Sequence, residues 1–388
     1  MDIKNRFFHP PDESFFLFGP RGTGKSTWLK RHFKNALTVD LLSAENFRMY
    51  SAKPERLKEL IEGNPAAKTI IVDEIQKVPP LLDVVHQLIE NKKGLRFILT
   101  GSSARKLKRS GVDLLAGRAL LKTMHPFMAA ELGGDFNLES AVKLGMLPLV
   151  LNSVNPEDVL KTYIALYLKE EVQMEGLVRN IGNFSRFLEA ISFSHGSVLN
   201  TTQVASDCQI GRKAVEGYVE ILEDLLLGFR VPVFMKRAKR HLSQHPKFYY
   251  FDTGVFNSIR PQGPLDTPEQ MAGAALEGLI AQHLRAFNAH SFHQQALYFW
   301  RTKSGLEVDF IVYGARIFWA LEVKNAKNIR SQDLKGLAAF REDYPEAELF
   351  FIYRGKERLK MKGILCIPCE EFLKNLIPGK TGPAANDG

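Results

Sequence analysis

The chain has 388 residues, 45% hydrophobic and 24% charged, with three cysteines and a formal net charge of +9. These numbers fit about two to four globular domains in a reducing cytoplasm and exclude a disulfide scaffold, while the charge permits nucleic-acid binding without requiring it. No apolar run is long enough to span a membrane, and Met1–Arg6 lacks the apolar core of a secretion signal, so a cytoplasmic protein with no membrane partner is expected.

From residue 15 to about 135, apolar runs alternate with helical patterns, which predicts a parallel sheet covered by helices on both faces. Phe15–Phe18 reads as the first strand. It runs into Gly19-Pro20-Arg21-Gly22-Thr23-Gly24-Lys25-Ser26-Thr27 and a helix over 25–34. This loop carries the phosphate-binding pattern G-x-x-x-x-G-K-[ST] between a strand and a helix. Glycines free the backbone to aim successive N–H groups at one phosphate chain, and the helix N-terminus adds partial positive charge. Lys25 can reach the outer phosphates and the Ser26 hydroxyl can ligate Mg²⁺. Residues Gly19 to Thr27 are therefore the expected nucleotide-binding set.

A short strand follows at Ala36–Asp40, a helix at 54–63, and the buried strand Thr69–Val72, which ends in Asp73 and Glu74. Asp73 can hold Mg²⁺ and Glu74 can orient or deprotonate the attacking water. After a helix at 80–92 comes the strand from Leu95, ending in Thr100-Gly101-Ser102-Ser103. Thr100 is placed to sense a γ-phosphate or position the water, with Ser102 as a second candidate. Arg105 and Arg118 both follow this strand and are candidates for an arginine finger. Arg118, beside Gly117 just before the next apolar run, is favoured. Whether it serves its own site or a neighbour's decides if a homo-oligomer is required.

Residues 136–183 read as a helical linker. Helices at Phe184–Ser194, Thr202–Cys208 and Gly211–Leu227, then β segments at Phe229–Met235 and Lys247–Phe251, outline a winged helix-turn-helix over 184–252. Lys236, Arg237, Lys239 and Arg240 make the intervening segment basic, and Arg212 and Lys213 open the third helix, so DNA is a candidate partner. Glu216, Glu220, Glu223 and Asp224 weigh against that helix as a DNA reader.

Residues 253–376 are expected to form a third domain: a helix Glu269–Asn288, strands at 297–302, 307–313 and 317–323, a helix at 331–343, strands at 348–353 and 363–367, and a helix at 369–376. Asp309 and Glu322 fall on neighbouring strands, with Glu277 on the preceding helix as a third carboxylate, a set suited to Mg²⁺ or Mn²⁺. Lys324 shares a sheet face with Glu322 and would stabilise charge or activate water. The D…E-x-K pattern with an upstream Glu resembles the PD-(D/E)XK nuclease superfamily, and with it the restriction-endonuclease-like fold. Cys366 and Cys369 read as structural thiols. The Gly-, Pro- and Ala-rich tail, 377–388, is expected to be disordered.

The chain as a whole resembles a widespread family of bacterial and archaeal AAA-type ATPases with a C-terminal domain of unknown function. The residues that carry the resemblance are Phe18 to Ser26, Val72-Asp73-Glu74-Ile75-Gln76, Leu99 to Ser103, Leu115 to Arg118, Tyr250 to Gly254, Phe299 to Thr302 and Glu322-Val323-Lys324. The resemblance implies ATP binding and hydrolysis by an α/β, P-loop AAA-type domain over 1–135, and a winged helix plus a nuclease-like fold in the C-terminal half. A second arginine sensor in a separate helical lid is not evident. The resulting expectation is a Mg²⁺-dependent ATPase, associated with DNA, whose nucleotide state controls a C-terminal module. The alternative is a nucleotide-dependent protein-interaction switch with an inactive nuclease-like scaffold.

Overall fold

The computed structural model describes residues 4–91, 94–102, 115–168, 172, 180–238, 240–242, 245–264, 266–380 and 382. The chain divides into two compact units, one of Phe8–His125 with Asp224–Leu226, the other of Met1–Phe7, Pro126–Glu223 and Leu227–Gly388.

In the first unit, strands β1 (Phe15–Phe18), β2 (Leu37–Asp40), β3 (Thr69–Asp73), β4 (Arg96–Gly101) and β5 (Leu120–Thr123) form one sheet in the order β2-β3-β4-β1-β5. Every pairing is parallel. Helices α1 (Lys25–His32), α2 (Ala44–Ala52), α3 (Arg56–Glu62) and α4 (Leu81–Asn91) make the crossovers. The strands are apolar at nearly every position because both faces are covered. Phe16, Phe18, Ile70, Val72, Phe97 and Leu99 pack into one core with Tyr50, Leu57, Leu82 and Val85. Their neighbours Phe15, Leu17, Ile71 and Ile98 pack on the other face against Trp28 and Leu29. Two elements were not expected from sequence. Helix α2 buries only Tyr50, so its apolar periodicity is faint. Strand β5 is a sheet edge with Leu120 and Leu121 exposed, and it owes its place to pairing with β1.

The second unit begins with short helices α5 (Ala129–Leu132), α6 (Leu138–Leu144), α7 (Pro148–Leu151) and α8 (Pro156–Thr162), the last continuing as a π-turn over Tyr163–Leu168. Next come α9 (Ile181–Ser192), β6 (Ser197–Val198), α10 (Thr201–Cys208), α11 (Arg212–Asp224), β7 (Gly228–Val231) and β8 (Lys247–Tyr250), the three strands forming a small antiparallel sheet. These elements occupy the stretch expected to be a winged helix, but the β segments are shorter than expected. Phe234 leaves the hairpin and buries its ring among Tyr298, Tyr313, Phe318 and Tyr344, with centroids 5.3–5.5 Å apart. Its backbone N–H donates to Phe299 O at 2.7 Å.

Helix α12 (Thr253–Ile259) is capped by Asp252, which accepts from Gly254 N and Val255 N and, from a different element, Met146 N at 2.7 Å. Gly254 is required there because a Cβ would collide with the backbone of Leu144. The Tyr250–Gly254 motif is thus a structural lock between α6 and α12. The rest comprises α13 (Pro268–His290), β9 (Gln295–Arg301), β10 (Glu307–Gly314), β11 (Phe318–Lys324), α14 (Lys335–Asp343), β12 (Glu348–Tyr353), β13 (Leu359–Met361), β14 (Ile364–Pro368) and α15 (Cys369–Asn375). The sheet order is β13-β14-β12-β11-β10-β9. Strands β9 to β11 are antiparallel, and β11, β12 and β14 are parallel. A bulge between Val308 and Ile311 interrupts the β9–β10 ladder, and Asp309 lies within it. Among the described residues no helix is long and apolar enough to cross a membrane. Residues 381 and 383–388 of the expected disordered tail lie outside the described residues.

Candidate functional site

The loop after β1 is built by backbone geometry. Gly22 and Gly24 have φ of 83° and 89°, values that favour glycine. Gly19 admits no side chain, since a Cβ would lie 2.5 Å from Met124 O. Thr23 Oγ1 donates to Pro20 O at 2.8 Å and closes the loop. Buried Lys25 folds back over it, donating from Nζ to Gly19 O at 2.6 Å and to Pro20 O at 3.3 Å. Helix α1 starts at Lys25, so the amides of its first turn have no intrahelical acceptor and face the loop's mouth. Arg21 and Thr27 are exposed at its rim.

The acidic end of β3 meets this loop. Ser26 Oγ donates to Asp73 Oδ2 at 2.8 Å. Thr100 Oγ1 donates to the other oxygen, Asp73 Oδ1, and accepts from Glu74 N at 3.2 Å. The Thr100 hydroxyl is therefore engaged in holding the two acids. Glu74 sits in the left-handed region at φ 60°, an arrangement costing on the order of 1–3 kcal/mol in a non-glycine residue. Its carboxylate Oε2 accepts from Gln76 Nε2, and the same nitrogen reaches Ser102 Oγ at 3.4 Å. Sequence reasoning attached no role to Gln76, although its place two residues after Glu74 was visible. A Ser26–Asp73 hydroxyl–carboxylate pair fits Mg²⁺, which takes few protein oxygens and completes its shell from phosphates and water.

The structure separates Arg118 from the loop of its own chain. Phe15 is level with Leu120 in the parallel β1–β5 pair, whereas the loop begins beyond Phe18, which is level with Thr123. At about 3.3 Å per residue, Arg118 stands roughly 15 Å or more down the sheet, at the strands' amino ends. There its Nε donates to Glu90 of α4. In this arrangement Arg118 pairs with Glu90 and does not reach the loop of its own chain. Arg105 lies outside the described residues.

In the second unit, the expected carboxylates do converge, but around a lysine. Lys247 of β8 is buried and its Nζ contacts Glu277 Oε1 at 3.0 Å, Asp309 Oδ1 at 3.1 Å and Glu307 Oε1 at 2.5 Å. Tyr249, two residues on and so on the same face of β8, donates its hydroxyl to Glu277 Oε1 at 2.6 Å. Asp309 Oδ2 accepts from Val323 N at 2.9 Å, a bond the β10 bulge makes reachable. Burial works against the Lys247 charge, but Glu277, Tyr249, Asp309 and Glu307 outweigh it and hold its pKa well above the ordinary value. Burial raises the Glu277 carboxyl to about 7 and pushes Glu322 well above the carboxylate range. Glu322 Oε2 is buried without a hydrogen-bond partner.

This arrangement corrects the expected metal site. Among the described residues no three His, Cys, Asp or Glu side chains are grouped to hold a metal ion. The position expected for a cation at Glu277, Asp309 and Glu322 is lined instead by the Lys247 ammonium. Lys324 is exposed at the end of β11, and among the described residues it forms no ion pair with these acids. Lys247 was missed because it lies 62 residues before Asp309, in a segment read as part of another domain.

The basic segment between β7 and β8 is largely tied down. Arg240 bonds Asp343 and Glu342 at 2.9 and 2.7 Å, and Lys236 Nζ sits 4.4 Å above the Tyr313 ring. Lys239 lies outside the described residues. Arg212 pairs with Glu216 at 2.8 Å one turn along α11.

Comparison with protein-family models matches residues 12–133 to an AAA domain, residues 135–266 to a domain of unknown function (DUF8612), and residues 272–372 to a domain of unknown function (DUF4143). The first match makes the β1–β5 region similar to AAA domains. No curated protein matches the chain.

Proposed function

We propose that the protein binds and hydrolyses ATP with Mg²⁺ at the mouth of the Gly19–Thr27 loop. The observation that carries this reading is the bond between Ser26 Oγ and Asp73 Oδ2. It joins, from a loop and from a strand two places away in the sheet, the hydroxyl and carboxylate that a Mg²⁺-triphosphate needs. Loop amides and Lys25 hold the β- and γ-phosphates, and nucleotide displaces the Lys25 bonds to Gly19 O and Pro20 O. Mg²⁺, when bound, neutralises developing charge on the phosphates. Glu74 takes the proton of the attacking water, and Thr100 holds Asp73 and Glu74 in register. Phosphate release by wild type, Lys25→Ala and Glu74→Gln protein tests this. Lys25→Ala is expected to lose nucleotide binding, and Glu74→Gln to bind nucleotide while turning over at least a hundredfold more slowly. Equal turnover in all three overturns the assignment.

We further infer that nucleotide state is transmitted to a C-terminal scaffold that does not cleave nucleic acid. Lys247 favours this reading, since an ammonium among the carboxylates takes the place a catalytic cation would need. DNA association through exposed Lys236, Arg237, Arg212 and Lys213 is the accompanying proposal, supported by the net charge of +9. Salt-dependent binding of duplex DNA that weakens in a Lys236→Ala/Arg237→Ala variant supports it, and binding indifferent to salt counts against it.

A further inference from the structure

We propose that Gln76 is the positioning residue for Glu74, and that it fastens that carboxylate to the end of β4 through Ser102. The inference rests on the ATP-hydrolysis reading and specifies how its general base is aimed.

Glu74 leaves β3 in the left-handed backbone conformation, so its side chain does not continue the strand's alternation. Something besides the backbone must fix its direction. Gln76 lies in the short 3₁₀ turn Ile75–Lys77, and its buried amide nitrogen donates to Glu74 Oε2. The same nitrogen approaches Ser102 Oγ, just past Thr100 and Gly101 at the end of β4. Gly101 makes room for this, because a Cβ there would collide with Gln76 Oε1. That oxygen is itself buried with no hydrogen-bond partner. A buried amide with one end unsatisfied is a poor stabilising device, and apolar substitutes would fill the space better. What the amide does accomplish is to join the base to the strand that carries Thr100.

In the reaction, the water oxygen bonds to the γ-phosphorus as the bond to the β–γ bridging oxygen breaks. The water proton passes to Glu74 and then to the released phosphate, and ADP leaves. An amide donor on one carboxylate oxygen fixes the direction of the other, so that the base is aimed before the water arrives.

The test uses the full chain and measures kcat and KM for wild type, Gln76→Ala, Gln76→Glu, Gly101→Ala and Glu74→Gln, with nucleotide affinity measured separately. Gln76→Ala is expected to lower kcat about tenfold and to leave KM and nucleotide affinity within about twofold. Gln76→Glu, which sets a second carboxylate against the first and removes the donor, should lower kcat further. Gly101→Ala keeps the amide but displaces it, and should reproduce the Gln76→Ala kinetics even if that variant folds poorly. If Glu74→Gln abolishes turnover while Gln76→Ala and Gly101→Ala leave kcat unchanged, Gln76 has no positioning role and the ATPase reading stands. A change confined to KM or to thermal stability overturns the proposal in the same way. Equal turnover by wild type and Glu74→Gln defeats the ATPase reading and this proposal together.

Discussion

Lys247 Nζ and Asp309 Oδ1 lie 3.1 Å apart although 62 residues separate them, and this pair joins the small three-stranded sheet to the six-stranded one. With Glu277 and Glu307 the lysine satisfies carboxylates from α13 and β10 at once. Removing one partner of a buried ion pair leaves the others uncompensated, at a cost of about 3–5 kcal/mol. Lys247→Met is therefore expected to lower the denaturant midpoint of this unit markedly, as followed by Trp300 and Trp319 fluorescence. Lys324→Met, at an exposed position, should leave it within about 0.5 kcal/mol.

The same ammonium bears on DNA cleavage. With a fixed positive charge among Glu277, Glu307 and Asp309, a divalent cation there meets electrostatic repulsion. Incubation of plasmid DNA with Mg²⁺ or Mn²⁺ should give no nicking by wild type and none by Asp309→Ala. Cleavage by wild type that Asp309→Ala abolishes would show the cluster to be a working metal centre.

Glu277 makes stability depend on pH. Burial, partly opposed by Lys247, raises its folded-state pKa to about 7 from an ordinary 4.5. The folded chain thus holds this proton when the unfolded chain has released it. Its contribution is fully present below pH 4.5 and is lost as pH rises through about 7. Relative to Glu277→Gln, the wild type should lose about 2–3 kcal/mol between pH 4.5 and pH 7.5, read from urea midpoints at each pH.

Arg118 supplies a test of assembly. Its pairing with Glu90 at the amino end of the sheet keeps it from its own phosphate loop. At concentrations where the protein is monomeric by light scattering, Arg118→Ala should keep kcat within twofold of wild type. If turnover per chain rises with wild-type concentration and not with that of Arg118→Ala, the arginine acts on a neighbour's site. A large loss in the monomer would contradict the geometry.

Much of the geometry of the proposed nucleotide site was legible in sequence because its parts are local. A glycine-rich turn between an apolar strand and a helix has few backbone solutions, so Gly19 to Thr27 could be assigned from residue types and spacing. The acids at the end of β3 were legible for the same reason, since a doubly covered strand reads as a continuous apolar run and Asp73 stands where that run stops. Helix α2 and strand β5 were not legible. The one buries a single side chain, and the other is an exposed edge held by its neighbour's backbone.

What only the tertiary structure decided is which long-range partners meet. Parallel register put Arg118 at the wrong end of the sheet for its own loop, and no local pattern encodes register between strands a hundred residues apart. The carboxylates of the C-terminal region were found from their spacing on adjacent strands, yet their partner is Lys247 from β8 and not Lys324 from β11. A charge finds its counter-charge through the packing of whole elements, and burial then makes that pairing obligatory. Sequence by itself determined where a glycine-rich loop and its neighbouring acids would form, and the folded chain alone determined that the second acidic cluster already holds the Lys247 ammonium.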